Sequence, residues 1–283
     1  MEARHFFEGR QLLIATKHGK ERVIAPLVEK SLGVTALTTD DFDTDLLGTF
    51  TGEVERGDDP LATLRKKCRM AMERYGYDLA IANEGSFGPH PSAWFAGADD
   101  ELIILIDKQQ DIEVIERELS LQTNFAGEAI TSESALKAFA DKALFPSHRL
   151  IIRRDANTTT GLVKGIGDWD TLLTAWRQTM EQHGCAYVET DMRAHHNPTR
   201  MKVIERATEK LLEKVHSCCP SCGTPGFGIA RSVKGLPCSL CHQPTSSTLA
   251  FICQCAKCGH EAERRYPHGK TQEDPMYCNY CNP

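Results

Sequence analysis

Cys219-Pro-Ser-Cys222, Cys238-Ser-Leu-Cys241, Cys255-Ala-Lys-Cys258 and Cys278-Asn-Tyr-Cys281 follow one another near the carboxyl end of the chain. Fifteen residues separate the first two pairs and nineteen the last two, spacings that suit four-cysteine zinc ribbons. A two-residue gap lets one tight turn aim two sulfurs at one ion, and four sulfurs at about 2.3 Å close a tetrahedral shell. The glycines after Cys222 and Cys258 stand where positive φ is often needed. The eight cysteines therefore read as ligands of two structural zinc ions, with iron the other metal that such sites hold. Sulfur fills every position, so no site stays open for a catalytic water. Pairing in chain order, Cys219/Cys222 with Cys238/Cys241 and Cys255/Cys258 with Cys278/Cys281, is the simpler assignment, and an interlaced one is the alternative. Cys218 and Cys253 are spare.

Few large apolar residues lie beyond Cys219, so metal is expected to supply most of the ribbon's folding free energy. Met1 to Phe7 is charged and has no apolar stretch, which leads to the expectation of a reducing cytoplasm, where disulfides are disfavoured. No apolar run approaches membrane-spanning length, so no membrane partner is expected.

The 283 residues leave room for one α/β domain over residues 1–216 ahead of a double ribbon over residues 217–283. The ribbon segment has a net formal charge of +2 and the rest −8. An acidic body argues against broad nucleic-acid binding, while the ribbon alone could touch a phosphate backbone or a protein.

Short β-branched runs alternate with amphipathic stretches across the body, the pattern of a mixed sheet flanked by helices. Gln11–Thr16, Val34–Thr39, Asp78–Asn83, Leu102–Asp107, Arg149–Arg153 and Cys185–Glu189 read as strands. Lys20–Ser31, Asp168–His183, Ser132–Ala143 and the region of Ile112–Leu119 read as helices. Asp59-Pro60 opens another, in which Leu61, Leu64, Cys68 and Ala71 recur at helical spacing, so Cys68 is a core residue. Asn197-Pro198 caps a long helix to His216 that runs into the first cysteine pair. Glu84–Pro91 is turn-rich and reads as irregular, as does polar Asn157–Gly167. The acidic stretch Asp40, Asp41, Asp43 and Asp45 reads as a solvated turn.

Ligands of open α/β sheets sit beyond the carboxyl ends of the strands. Thr16-Lys-His-Gly-Lys20 at such an end, feeding a helix, suits a phosphate cradle. Ile14-Ala-Thr-Lys-His-Gly-Lys20 also resembles the Ala-Thr-x-Asn-x-x-Lys opening of the inosine/xanthosine triphosphate pyrophosphatase and Maf superfamily. Glu55-Arg-Gly57, the helix with Lys67, and Ala80-Ile-Ala-Asn-Glu84-Gly-Ser follow in the order that group uses. Thr63 and Asn83-Glu84 depart from its pattern. The resemblance implies that Lys20 and Lys67 hold a triphosphate and that Glu55 and Glu84 hold Mg²⁺ and orient the attacking water.

Glu189-Thr-Asp191-Met-Arg193-Ala-His195-His196 is a second polar cluster. Asp191 could serve as metal ligand or base and Arg193 as a phosphate clamp, or the stretch is a salt-bridged loop that orients the long helix. His195 and His196 are expected at the surface. With Thr190-Asp-Met-Arg193, Asn197-Pro-Thr-Arg200 and the cysteine array, the whole chain resembles an uncharacterised bacterial family of unknown function. The expectation is a Mg²⁺-dependent hydrolase of a nucleoside triphosphate or related phosphorylated small molecule. The alternative is a non-enzymatic zinc-binding protein that contacts protein or nucleic acid through its ribbons.

Overall fold

The computed structural model describes residues 3–38, 59–156 and 158–283. A five-stranded sheet has the order β2-β1-β3-β4-β5, built from β1 (Gln11–Ile14), β2 (Thr35–Thr38), β3 (Leu79–His90), β4 (Ala93–Asp107) and β5 (Ile112–Ser120). β1 runs parallel to β2 and β3, whereas β3, β4 and β5 form an antiparallel meander.

Alternation along the strands splits the core in two. Leu12, Ile14, Leu79, Ile81, Ile103 and Leu105 pack under α1 (Glu21–Leu32) and α5 (Pro198–His216). Leu13, Ala80, Ala82, Ile104 and Ile106 pack under α2 (Pro60–Tyr75), whose Leu64, Cys68 and Ala71 face them. Cys68 is thus the core residue its spacing suggested. A second, antiparallel sheet joins β6 (Gly127–Ala129), β9 (Tyr187–Thr190), β7 (Leu150–Arg153) and β8 (Val163–Ile166) in that order. α3 (Glu133–Lys142) and α4 (Trp169–His183) cover it with Leu136, Phe139, Leu172 and Trp176. A three-stranded sheet, β10 (Gly228–Lys234), β11 (Thr248–Gln254) and β12 (Glu261–Arg265), makes up the ribbon. No described helix is long and apolar enough to cross a membrane.

The helix ends obey local chemistry. Asp59 accepts from the N–H groups of Leu61 and Ala62 at 3.0 and 3.1 Å, and Asn197 accepts from that of Arg200 at 3.0 Å. Each cap satisfies donors that the first turn leaves orphaned.

Three expectations need correcting. Ile112–Leu119 is a strand: Ile112, Val114 and Glu118 alternate inward, and pairing with β4 outweighs the helix propensity of its Glu, Arg and Leu residues. Glu84–Pro91 is regular, because β3 continues through it to His90 opposite β4. The polar stretch 157–167 contains β8. The acidic stretch around Asp40–Asp45 lies outside the described residues.

Gly85 explains why β3 looked like a turn. Glu101, opposite it on β4, accepts from Arg200 Nε at 2.7 Å, and both side chains are fully buried. A Cβ on Gly85 would run into Glu101 Oε1 and Arg200 Nη2, whereas one on Gly88 would meet nothing within 4 Å. Gly85→Ala is therefore expected to cost roughly 1–3 kcal/mol by overpacking, while Gly88→Ala stays within about 0.5 kcal/mol. Thermal melts of both variants check this, and equal melting temperatures would refute it.

Candidate functional site

Two four-cysteine clusters form in the ribbon, and they are interlaced. Cys219, Cys222, Cys255 and Cys258 make one, and Cys238, Cys241, Cys278 and Cys281 the other. This overturns the chain-order pairing, and strand direction is the reason. β10 leads from the first cysteine turn to the second, antiparallel β11 returns to the third, and β12 leads out to the fourth. Turns one and three therefore share one end of the ribbon, and turns two and four the other.

Sulfur–sulfur separations are 3.7 and 3.6 Å in the first cluster and 3.9 and 3.6 Å in the second. A tetrahedron with 2.3 Å metal–sulfur bonds has edges of about 3.8 Å, far longer than the roughly 2.05 Å of a disulfide. Each cluster could hold a zinc ion. The four turns repeat one hydrogen bond: the residue after the second cysteine donates its N–H to the carbonyl of the first, at 2.8 to 3.0 Å. Gly223 and Gly259 adopt positive φ there as their sequence positions suggested, and His242 does so at the second turn. Cys218 and Cys253 stand outside both clusters.

The first cluster lies against the body. Lys257 Nζ donates to the Gln110 carbonyl at 3.2 Å, and a Cβ on Gly226 would press on Val114 of β5.

A second concentration of charge gathers where β1 ends. β1 pairs with β3 only as far as Ile14 opposite Ile81, and among the described residues no strand continues along that edge. Among the described residues this leaves a notch beside the carboxyl half of β3. Adjacent β3 residues face opposite sides of the sheet. On the α1 side, Lys20 Nζ donates to Asn83 Oδ1 at 2.8 Å and to its carbonyl at 3.2 Å. On the α2 side, the ammonium of Lys67 forms a short ion pair with Glu84. Lys20, Lys67 and Glu84 are all buried, so three of the residues implied by the resemblance do meet around one strand end. Thr16 follows β1 and stays half-buried. Glu55 lies outside the described residues.

Asp99, Glu101 and Arg200 were not singled out as site residues, yet they fill the α1 side of the notch. Both oxygens of Asp99 and Oε2 of Glu101 are buried without a hydrogen-bond partner, which is uncommon for groups so costly to desolvate. Their sequence signal is slight: Asp99-Asp-Glu101 leads into the apolar run Leu102–Ile106, and only the pairing with Gly85 and Phe87 shows that Asp99 and Glu101 point inward. Burial, reinforced by the charge of Glu101, pushes the Asp99 carboxyl up to about 8. Burial raises Glu101 too, but the charges of Arg200 and Lys20 outweigh it and hold Glu101 below its ordinary value. Burial, with Arg200 close by, lowers Lys20 to about 7.

Asp191 sits beside this notch in a different role. It accepts from Arg193 Nε and Nη2 at 3.0 and 2.6 Å, from His196 Nδ1 at 2.9 Å and from the Arg193 N–H at 3.1 Å. Those bonds overcome burial and keep its pKa low. The set is the salt-bridged loop that was one of the two readings of this stretch. His195 is exposed, as expected, and His196 is half-buried; the His195 ring stacks on His18 with centroids 5.3 Å apart, and its Cβ lies 3.2 Å from where a Cβ on Gly19 would stand. Residues 193–200 thus close one wall beside the loop that carries Thr16 to Lys20.

The model of a family described as "Domain of unknown function (DUF6671)" matches residues 67–283. No curated protein matches the chain.

Interlacing has a direct test. Cys222→Ser with Cys255→Ser damages one cluster and should leave one metal per chain by elemental analysis, whereas Cys222→Ser with Cys241→Ser damages both. The reverse outcome would restore chain-order pairing. The buried Lys20 also gives a pH dependence. Below about pH 7 it is charged in both the folded and unfolded states, and its burial cost is complete. Between pH 7 and the ordinary lysine value of 10.5 the unfolded chain holds the extra proton, so the destabilising contribution of Lys20 fades through that window. The melting-temperature advantage of Lys20→Met over wild type should therefore shrink from pH 6 to pH 10, and a constant difference would count against a lowered Lys20.

Proposed function

The chain belongs to that family of unknown function, and we propose that it is a Mg²⁺-dependent hydrolase of a nucleoside triphosphate or related phosphorylated small molecule. In this reading the ribbon holds two structural zinc ions. One observation carries the hydrolase: Lys20, Lys67 and Arg200 lie buried around the carboxyl half of β3. Buried ion pairs add little net stability, so such a concentration in a notch marks a site of use.

Cleaving a phosphoanhydride requires neutralised phosphoryl oxygens and a positioned water. Lys20 and Lys67 supply charge from the two faces of β3, and a ligand lying along the notch meets both. Glu84 holds the Lys67 ammonium in place. Arg193, tied to Asp191, and Thr16 shape the rim where the rest of the substrate would lie. Bound Mg²⁺ contributes Lewis acidity at the phosphoryl oxygens, and the partnerless oxygens of Asp99 and Glu101 fit a hard cation.

A second reading, a zinc-binding protein that acts by contact alone, draws on the outer end of the ribbon. Leu240, Met276, Tyr277 and Tyr280 are exposed there around the second cysteine cluster. Zinc-loading changes the charge of that module. Each site of one Zn²⁺ and four thiolates carries −2, so the ribbon's formal +2 becomes −2. A phosphate backbone is then a poor partner, and a protein surface is the better one.

The hydrolase reading is checked by a panel of nucleoside triphosphates with Mg²⁺, scored for pyrophosphate and phosphate release. Lys67→Ala should lower kcat/KM by at least about a hundredfold, the scale of losing one charge-stabilising group. Failure of the wild type to turn over any substrate would leave the contact reading in possession.

A further inference from the structure

Resting on the hydrolase reading, we propose that the divalent cation of the notch is held by Asp99 and Glu101, and not by Glu84. Glu84 is committed, since it lies on the α2 face in an ion pair with Lys67. Asp99 and Glu101 lie two residues apart on β4 and so share the opposite face. Both are fully buried. Three of their four oxygens have no partner at good hydrogen-bond geometry, the fourth, Glu101 Oε1, accepts from Arg200 Nε at 2.7 Å, and the two carboxyls lie close enough to share a proton when no cation is there. That bond fixes one edge of the Glu101 carboxylate and leaves the other directed elsewhere.

Two carboxyls side by side in the interior cannot both stay ionised alone and must share a proton or a cation, and a cation is the partner that satisfies several of their oxygens at once. Mg²⁺ and Mn²⁺ suit a pair of this kind. Mg²⁺ commonly uses one or two carboxylates and completes its octahedron with waters and substrate phosphate oxygens. The neighbours fit that division of labour. Lys20, Arg200 and Asn83 line the same face, so phosphate oxygens shared with the cation find counter-charges beside it. The two lysine-bearing faces of β3 then differ in function: the α1 face takes cation and phosphate together, and the α2 face takes phosphate alone.

The test is Mn²⁺ binding to the zinc-loaded full chain, followed by electron paramagnetic resonance of the free ion, with Mg²⁺ as competitor. Asp99→Asn keeps the shape of the side chain and should weaken Mn²⁺ binding at least about tenfold, or 1.4 kcal/mol. Glu84→Gln should keep the wild-type affinity within about twofold, or 0.4 kcal/mol. Loss of binding in Glu84→Gln, unchanged binding in Asp99→Asn, or a wild type that binds no Mn²⁺ would each overturn the assignment. Should Asp99→Asn fail to fold, Asp99→Ser takes its place with the same expected loss, and unchanged Mn²⁺ binding there overturns the assignment. The two readings separate cleanly. Mn²⁺ binding that depends on Asp99 without any nucleotide turnover removes the hydrolase and keeps the cation site; turnover with Asp99-independent Mn²⁺ binding does the opposite.

Discussion

A single buried guanidinium holds the charged face of the molecule together. Arg200 enters the first turn of α5, donates Nε to Glu101 on β4 at 2.7 Å and Nη1 to the Met192 carbonyl at 2.5 Å, and lies over the Phe87 ring at 5.0 Å. It thereby joins the β3–β4 hairpin, the start of the long helix and the segment leaving the second sheet. Truncating such a group strands a charge on Glu101 in the interior, where breaking a pair costs far more than the pair contributed. Its value is positional: the strand, the helix and the His195 wall cannot drift apart without exposing an unpaired ion. Gly85 is the backbone concession that lets the pair fit.

The ribbon uses a different source of order. Apart from its cysteines it buries only a few apolar side chains, Leu236, Ala250 and Ile252 among them, too little to hold three short strands. Interlacing compensates. Because β10, β11 and β12 each run from one cysteine cluster to the other, every strand is tied at both ends once both metals are bound. Chain-order pairing would have made two separate knuckles with a free joint between them. The inner cluster also abuts β5, so a metal bound there would organise the contact between ribbon and body.

What could be read beforehand divides by range. Caps, core spacing and the Cys-x-x-Cys turns are decided within five or six residues, so Asp59, Asn197, Cys68 and Gly223 announce themselves. Partners set by strand pairing do not. Ile112–Leu119 has helix-forming composition and becomes a strand because the edge of β4 demands one. Which cysteine turn meets which depends on the antiparallel return of β11, a fact no spacing contains. Asp99 and Glu101 look like surface acids at the mouth of an apolar run until the register puts them behind Gly85 and Phe87. Lys20, Lys67 and Glu84 were legible because they lie in short motifs, but their division between two faces of a strand was not.

That division bears on how the notch can work. Asn83 and Glu84 are neighbours in sequence and point to opposite sides of β3, so Lys20 and Lys67, each docked on one of them, cannot approach one another through the sheet. They meet only around its edge, where, among the described residues, no strand follows once β1 stops short. A chain of phosphates is long enough to fold over such an edge, while a single phosphate is confined to one face. On the proposed hydrolase reading, two lysines astride a strand end would favour a ligand with several linked anionic groups over one with a lone charge. In the same reading, the buried Asp99 and Glu101 carboxyls on the α1 face would give that ligand a direction, since a cation held there would take up its oxygens.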